Sequence, residues 1–429
     1  MTQPLLLGIA GLGTVGMGVV KIIQEKASIL ALRSGQEIVI AAVSARTRDK
    51  NRGLDMSSYA WEDDPVKLAT RDDIDVFVEL IGGSDGPALI ATKAAIAAGK
   101  DVITANKALL ALHGQELAVA AEQKLNVFRF EAAVAGGIPV VKALTEGLAG
   151  NQISRVMGVM NGTCNYMLTR MENEGVSYDE AFRAAGALGF LEADPILDVG
   201  GIDAGHKLAL LAAIAFGTQV NFGAVELEGI DAITIDDIRQ AADMGYRIKL
   251  LGVAQMTELG LEQRMSPCLV PASSPLGQLE GGTNMTVLEG DEVGQIVLRG
   301  AGAGAGPTAS AVLSDIFDIA RGTRLPTFGQ PATTLVAAKQ ALSATPAPYY
   351  LRIQLADQPA GALVKIVTVL GENGVSIDRM RQYGHEEATA PVLIVTHKTL
   401  RSTLDQALKH LPLTGVMNTT PVAIRIETV

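Results

Sequence analysis

The stretch Leu5-Leu6-Leu7-Gly8-Ile9-Ala10-Gly11-Leu12-Gly13-Thr14-Val15-Gly16 decides the fold. Its first six residues are a short apolar run of the kind buried on both faces of a parallel sheet, and the run ends in glycines spaced G-x-G-x-x-G. A glycine turn between a buried strand and a helix lets backbone approach a pyrophosphate, which then rests on the helix N-terminus. The spacing alone is a weak signal, and a merely structural turn is the alternative. Its place after a strand and before a helix is what points to a dinucleotide. Gly11, Leu12, Gly13, Thr14, Val15 and Gly16 are the first candidate cofactor contacts.

Working outward, Val15, Val19, Val20 and Ile23 fall at helical spacing, and Ile38 to Val43 reads as a second strand, completing a β-α-β unit. Further strands are predicted at Val76 to Ile81, Asp101 to Thr104 and Val127 to Glu131, with alanine-rich helices such as Ala88 to Ala98 between them. Residues 1–132 therefore read as a doubly wound, Rossmann-type dinucleotide-binding domain. From Ala133 the β-α alternation stops, and residues 133–300 read as an α+β domain for substrate binding and dimerisation. Residues 301–345 open with a glycine-rich loop and a helix that is expected to return onto the first domain. Pro346 and Pro348 then mark a linker.

After that linker, strand Tyr350 to Ala356, helix Gly361 to Glu372, strands Val375 to Arg381 and Pro391 to Thr396, helix Leu400 to Leu411 and strand Val422 to Ile426 follow in turn. This β-α-β-β-α-β order predicts a ferredoxin-like module over residues 349–429. The fold class is α/β, made of a Rossmann-type doubly wound sheet, an α+β domain and a ferredoxin-like module.

A chain of 429 residues exceeds what one core usually supports, in keeping with several domains. With 35 Lys+Arg against 46 Asp+Glu the formal charge is -11, which disfavours nucleic acid and anionic lipid and leaves small polar molecules as partners. Cys164 and Cys268 form no CxxC and no cluster with histidine, so a reducing, cytoplasmic setting is expected. Lys21 is the first basic residue, so no signal peptide is read. The longest apolar run, Leu208 to Phe216, falls far short of the roughly 20 residues that cross a bilayer.

An NAD-preferring unit places an acid at the end of its second strand for the ribose 2′-hydroxyl. Here that strand runs into Ser44-Ala45-Arg46-Thr47-Arg48-Asp49-Lys50, so Arg46 and Arg48 are candidates for pairing with a 2′-phosphate. NADP is favoured over NAD, although a basic run after a strand is also how a solvated loop reads. Thr104 and Lys107 come at the carboxyl edge of the sheet, where such folds bind ligands. Asp203 and Lys207, spaced i,i+4, share one face of an otherwise apolar helix. They form a structural ion pair or hold a lysine near a carbonyl oxygen that needs a proton. Glu192, Asp194 and Asp198 are candidate anionic partners for a substrate amino group. His206 is read as a packing or surface residue and Cys164 as a small packing residue.

The motifs GLGTVG at 11–16, ELIGG at 79–83, TANK at 104–107, EAAVAGGIP at 131–139, NGTCNYML at 161–168, GFLEADP at 189–195, DVGGIDAGHK at 198–207 and GAGAGPTASAV from Gly302 resemble the homoserine dehydrogenases. The resemblance spans essentially the whole chain in the family's order. It implies reversible reduction of L-aspartate 4-semialdehyde to L-homoserine. It also implies Lys207 as proton donor, Lys107 as a second lysine at the reacting groups, and Glu192, Asp198 and Asp203 as substrate-orienting acids. Thr163 would lie beside the substrate and Gly304 would approach the cofactor. Glu131 with the carbonyls of Val134, Gly136 and Ile138 resembles a monovalent-cation site, usually sodium. A homodimer or homotetramer is expected.

The C-terminal module resembles an ACT domain, which implies feedback by threonine. A tethered module of that kind would be removable after Thr345, leaving an active enzyme blind to threonine. Asp357-Gln358-Pro359-Ala360-Gly361 carries one residue more than the usual D-x-P-G, which alters the loop expected to meet the ligand. A module that only pairs subunits is the alternative. Rival readings of the whole chain are a reductase of another amino-acid-derived carbonyl and a non-catalytic nucleotide-binding regulator.

Overall fold

The computed structural model describes residues 3–191, 194–356, 361–382, 389–417 and 419–428. Internal packing divides the chain into two units, Met1–Gly162 with Asp203–Val225 and Gly282–Ala338, and Thr163–Ile202 with Glu226–Gly281 and Lys339–Val429.

In the first unit, β1 (Leu5–Ala10), α1 (Thr14–Ser34), β2 (Ile38–Ser44), β3 (Ala60–Glu62), α2 (Pro65–Ala69), β4 (Val76–Glu79), α3 (Pro87–Ala97), β5 (Asp101–Thr104), α4 (Lys107–Gln123) and β6 (Phe128–Arg129) alternate along the chain. The six strands are parallel in the order β3-β2-β1-β4-β5-β6. This is the doubly wound order expected of a Rossmann fold, and its switch point lies between β1 and β4. Leu7, Ile9, Val76 and Val78 are buried at the sheet centre, which is why these strands read as unbroken apolar runs. The helix Ala305–Ala320 packs on α1 through Ala309, Val312 and Ile316. Their close approach depends on Gly18, where an added Cβ would lie 2.7 Å from the Ala305 carbonyl oxygen. The unit also holds three antiparallel strands, Gly294–Ala301, Thr283–Gly290 and Ile153–Val159.

The second unit contains the long antiparallel pair Tyr246–Thr257 and Gly260–Pro271 and the C-terminal module. The module's elements are Tyr349–Ala356, Ala362–Glu372, Ile377–Gln382, Thr389–Thr396, Arg401–His410 and Val422–Ile426, in the ferredoxin-like order. Leu351, Ile353, Ile366, Ile394 and Leu404 form its core. The expected linker is a correction. Ala347 is buried and paired with Thr399, the Pro348 carbonyl accepts from Ile426 N at 2.9 Å, and Thr345 binds Glu262. Strand Val422–Ile426 also pairs in parallel with Gly260–Pro271, matching Cys268 with Arg425 and Leu269 with Ile426. Two prolines in a row of small residues read as flexible, but neighbouring backbone groups satisfy them as part of a sheet. The lengthened loop at 357–360 lies outside the described residues.

Candidate active site

The three glycines of the first turn have three separate reasons. Gly11 has φ +104°, and a Cβ there would lie 2.2 Å from the Leu80 carbonyl oxygen, so the turn presses on the segment after β4. A Cβ on Gly16 would sit 2.0 Å from the Gly11 carbonyl oxygen. Gly13 precedes α1 with open space on its Cβ side, so among the described residues none crowds that side of the turn. The first turn of α1, with Thr14 and Val15, carries no acid to repel an anion.

A cavity of about 640 Å³ opens at the carboxyl ends of β1, β2 and β4, lined by Gly11, Leu12 and Gly13, by Ser44 to Thr47, and by Leu80 to Gly82. Arg46 lines it and Arg48 does not; the Arg48 guanidinium lies 6.0 Å from the centre of the Trp61 ring. Lys50 and Arg52 line it as well, and Arg52 donates to the carbonyls of Arg48 and Lys50, tying the loop together. The basic run carried this information, but no spacing rule says which of its side chains turns inward. Gly304, with φ +115°, precedes helix Ala305–Ala320. The open helix end, the close backbone and the basic rim fit a dinucleotide.

Lys107, Asp203 and Lys207 converge. Lys107 is the first residue of α4, placed by its N-cap Asn106, whose Oδ1 accepts from Leu109 N at 3.1 Å. Asp203 opens helix Ile202–Phe216, and Lys207 follows one turn later. Asp203 Oδ1 lies 2.7 Å from Lys107 Nζ, and Oδ2 accepts from Lys207 Nζ at 2.6 Å. Lys207 also donates to the Met160 carbonyl at 2.9 Å, a partner with no sequence signature. Burial alone would raise the Asp203 carboxyl, but the charges of Lys207 and Lys107 and their hydrogen bonds overrule it and hold it well below the usual range. Two cations sharing one anion leave a net positive charge, which suits an oxygen that becomes negative during reaction.

Thr104, expected at the cofactor, is buried, and its hydroxyl donates to Glu79 at 2.6 Å. Neither Thr104 nor Lys107 lines the cavity. His206 packs against Phe222 with ring centres 4.1 Å apart, and burial pulls its pKa down.

In the second unit, Thr163 is buried and donates to the Phe190 carbonyl at 2.9 Å. Asp198 is buried in helix Ile196–Val199, and its carbonyl accepts from the Cys164 thiol at 3.3 Å. Asp194 accepts from Ile196 N at 3.1 Å. Glu192 lies outside the described residues.

Glu131 is buried, and its carboxyl accepts from Val141 N at 3.0 Å and Lys142 N at 2.7 Å. Burial, and then the charge of Asp315, push it up to about 8 against those two amides. The turn beside it has Ala135 at φ +57° and Gly136 at φ +56°. Val134 and Ile138 flank that turn, and Val140 N donates to the Ile138 carbonyl at 2.8 Å.

Family models match three stretches of the chain: "homoserine dehydrogenase, NAD binding domain" over residues 11–131, "homoserine dehydrogenase" over 139–317 and "ACT domain" over 349–411. A homoserine dehydrogenase of Neisseria gonorrhoeae is 41% identical over 433 residues, covering 99% of each chain. The crystal structure of a homoserine dehydrogenase from Thiobacillus denitrificans superposes with a TM-score of 0.93 at 38% identity, covering 99% of each chain. A hyperthermophilic archaeal homoserine dehydrogenase mutant in complex with NADPH gives a TM-score of 0.62 at 27% identity, covering 74% of this chain and 97% of that one. Relatives match this chain along its full length in sequence and in fold, and the chain belongs to the homoserine dehydrogenase family.

Proposed function

We propose that this enzyme reduces L-aspartate 4-semialdehyde to L-homoserine with NADPH in preference to NADH, with Lys207 as the proton donor. The meeting of Lys107 and Lys207 on the buried Asp203 carries the reading. The nicotinamide cofactor, when bound, supplies the hydride. Gly11, Gly13 and the N-terminus of α1 would hold its pyrophosphate, and Arg46 its 2′-phosphate. As the substrate aldehyde oxygen gathers negative charge, the two ammonium groups stabilise it and Lys207 protonates it. An ammonium has three donors, and Asp203 and the Met160 carbonyl engage two of those on Lys207, which leaves one for substrate. Asp203 fixes both lysines and keeps like charges apart. Thr163, Glu192 and Asp198 would orient the substrate. Purified protein mixed with aspartate semialdehyde and NADPH should consume NADPH absorbance; folded protein that gives no turnover in either direction overturns the reading.

Glu131 with the carbonyls of Val134, Gly136 and Ile138 would take a monovalent cation, sodium by preference. A buried carboxyl held up to about 8 gains from a nearby positive charge, which supports this. Replacing sodium by a large organic cation at constant ionic strength should lower the melting midpoint. In functional terms the chain runs as 1–132 for the dinucleotide, 133–300 for substrate and dimerisation, 301–345 returning to the first stretch and 349–429 taking threonine, although packing gathers these stretches into the two units described above. The enzyme assembles as a homodimer or homotetramer, which sedimentation measures. No helix among the described residues is long and apolar enough to cross a membrane. Two buried free cysteines support a cytoplasmic setting, which fractionation tests.

A further inference from the structure

Glu79 ends β4 with its side chain fully buried. A carboxyl group there costs free energy unless its oxygens are satisfied, and among the described residues it makes no ion pair. Instead Oε1 accepts from Ile81 N at 2.7 Å and Gly82 N at 3.1 Å, and Oε2 accepts from the Thr104 hydroxyl at 2.6 Å. The first pair holds the segment Leu80 to Gly82, which lines the dinucleotide cavity and abuts Gly11. The third bond leads elsewhere. Thr104 Oγ1 accepts from Asn106 N at 2.9 Å, and Asn106 caps the helix that begins with Lys107. Asn106 Nδ2 then donates to the Gly83 carbonyl at 2.7 Å, closing a ring of hydrogen bonds between the two segments.

We propose that Glu79 is a positioning residue that joins the seating of the cofactor to the placement of the Lys107 ammonium, an inference that rests on the function proposed above. It touches neither substrate nor cofactor. One oxygen sets the cavity wall, and the other, through Thr104 and Asn106, sets the first turn of α4. The two halves can be cut separately, because Thr104→Val breaks the arm toward Lys107 and leaves both amide bonds to Oε1 in place.

Turnover and NADPH affinity, the latter read from cofactor fluorescence, should be measured on the wild type, Glu79→Gln, Thr104→Val and Thr104→Ser. Glutamine keeps an oxygen for the Ile81 and Gly82 amides but loses the charge that strengthens the bonds to both segments, so Glu79→Gln should weaken NADPH and lower kcat by several-fold to about tenfold each. Thr104→Val should lower kcat by about tenfold while NADPH affinity stays within about twofold, and Thr104→Ser should restore kcat. Thr104→Val with wild-type kcat, with both quantities falling in the same proportion, or without rescue by serine overturns the proposal. Should Glu79→Gln fail to fold, the threonine pair decides alone. The wild-type assay judges the underlying reading separately: inactivity there refutes the function, whereas an active wild type with the wrong variant pattern refutes only the role of Glu79.

Discussion

Asp203 shows how one buried carboxylate organises two cations. If Lys207 supplies the proton, Lys207→Ala should lower kcat by about 10²–10⁴-fold, the usual contribution of a positioned acid, and near-normal turnover would move the role to Lys107 or water. Asp203→Asn removes the anion common to both lysines and should lower stability as well as rate. The folded-state pKa of Asp203 lies below the unfolded value of about 3.9, so its stabilisation is present above that pH and fades as pH falls toward the folded value. The gap in melting midpoint between wild type and Asp203→Asn should therefore hold steady through neutral pH and close in strong acid. A gap that closes near neutrality would contradict the assignment. At the cavity, Arg46→Ala should weaken NADPH by about 10-fold or more with little change for NADH, since loss of a hydrogen bond to a charged group is worth about 1.5–3 kcal/mol. Arg48→Ala, removing a group that rests on Trp61, should leave the preference alone. Equal losses for the two cofactors from Arg46→Ala would make it ordinary surface charge.

At the scale of elements, the last strand has more to hold than its own module. Arg264 of strand Gly260–Pro271 pairs with Glu427, as does Arg425 at 2.5 Å, and all three side chains are buried. Burial would raise the Glu427 carboxyl, but Arg264 and Arg425 outweigh it and hold it below its usual value. Arg425 also donates to the Tyr349 hydroxyl at 3.1 Å and the Thr345 carbonyl at 2.9 Å, so the start and the end of the module share one cation. Removing one member of such a set strands charges away from water. Glu427→Gln should cost about 3–5 kcal/mol, read as a lower midpoint in thermal or denaturant unfolding, and an unchanged midpoint would show that the cluster contributes nothing.

For the molecule as a whole, the same strand changes what truncation does. Deletion after Thr345 would leave Cys268 and Leu269 at the edge of Gly260–Pro271 unpaired and Arg264 without Glu427, so the shortened chain should aggregate rather than persist as an enzyme that ignores threonine. Recovery of soluble, active, truncated protein would disprove this. The proposed regulation by threonine is to be tested on the intact chain, because an effector acts only when it binds one state better than another. Full-length enzyme at subsaturating substrate should lose rate as threonine is added. Rates that stay flat across the titration would leave the module with only an assembly role.

Local pattern determined much of this protein. The apolar run at 5–10 and the glycines at 11, 13 and 16 dictated strand, turn and helix, because burial on both faces and close backbone contact each demand particular residues at fixed spacing. The i,i+4 spacing of Asp203 and Lys207 put both on one helical face, and the six C-terminal elements were legible from periodicity, with ends shifted by a residue or two. Short β3 went unread, since three half-buried residues carry no period. Tertiary structure alone decided that Lys107 reaches Asp203, that Met160 offers its carbonyl, that Arg46 turns inward while Arg48 turns onto Trp61, and that Glu79 binds two segments at once. It also turned a proline-marked linker into sheet. Such pairings join residues far apart along the chain, and sequence spacing describes only neighbours within one element; which distant groups satisfy each other is settled when the elements pack.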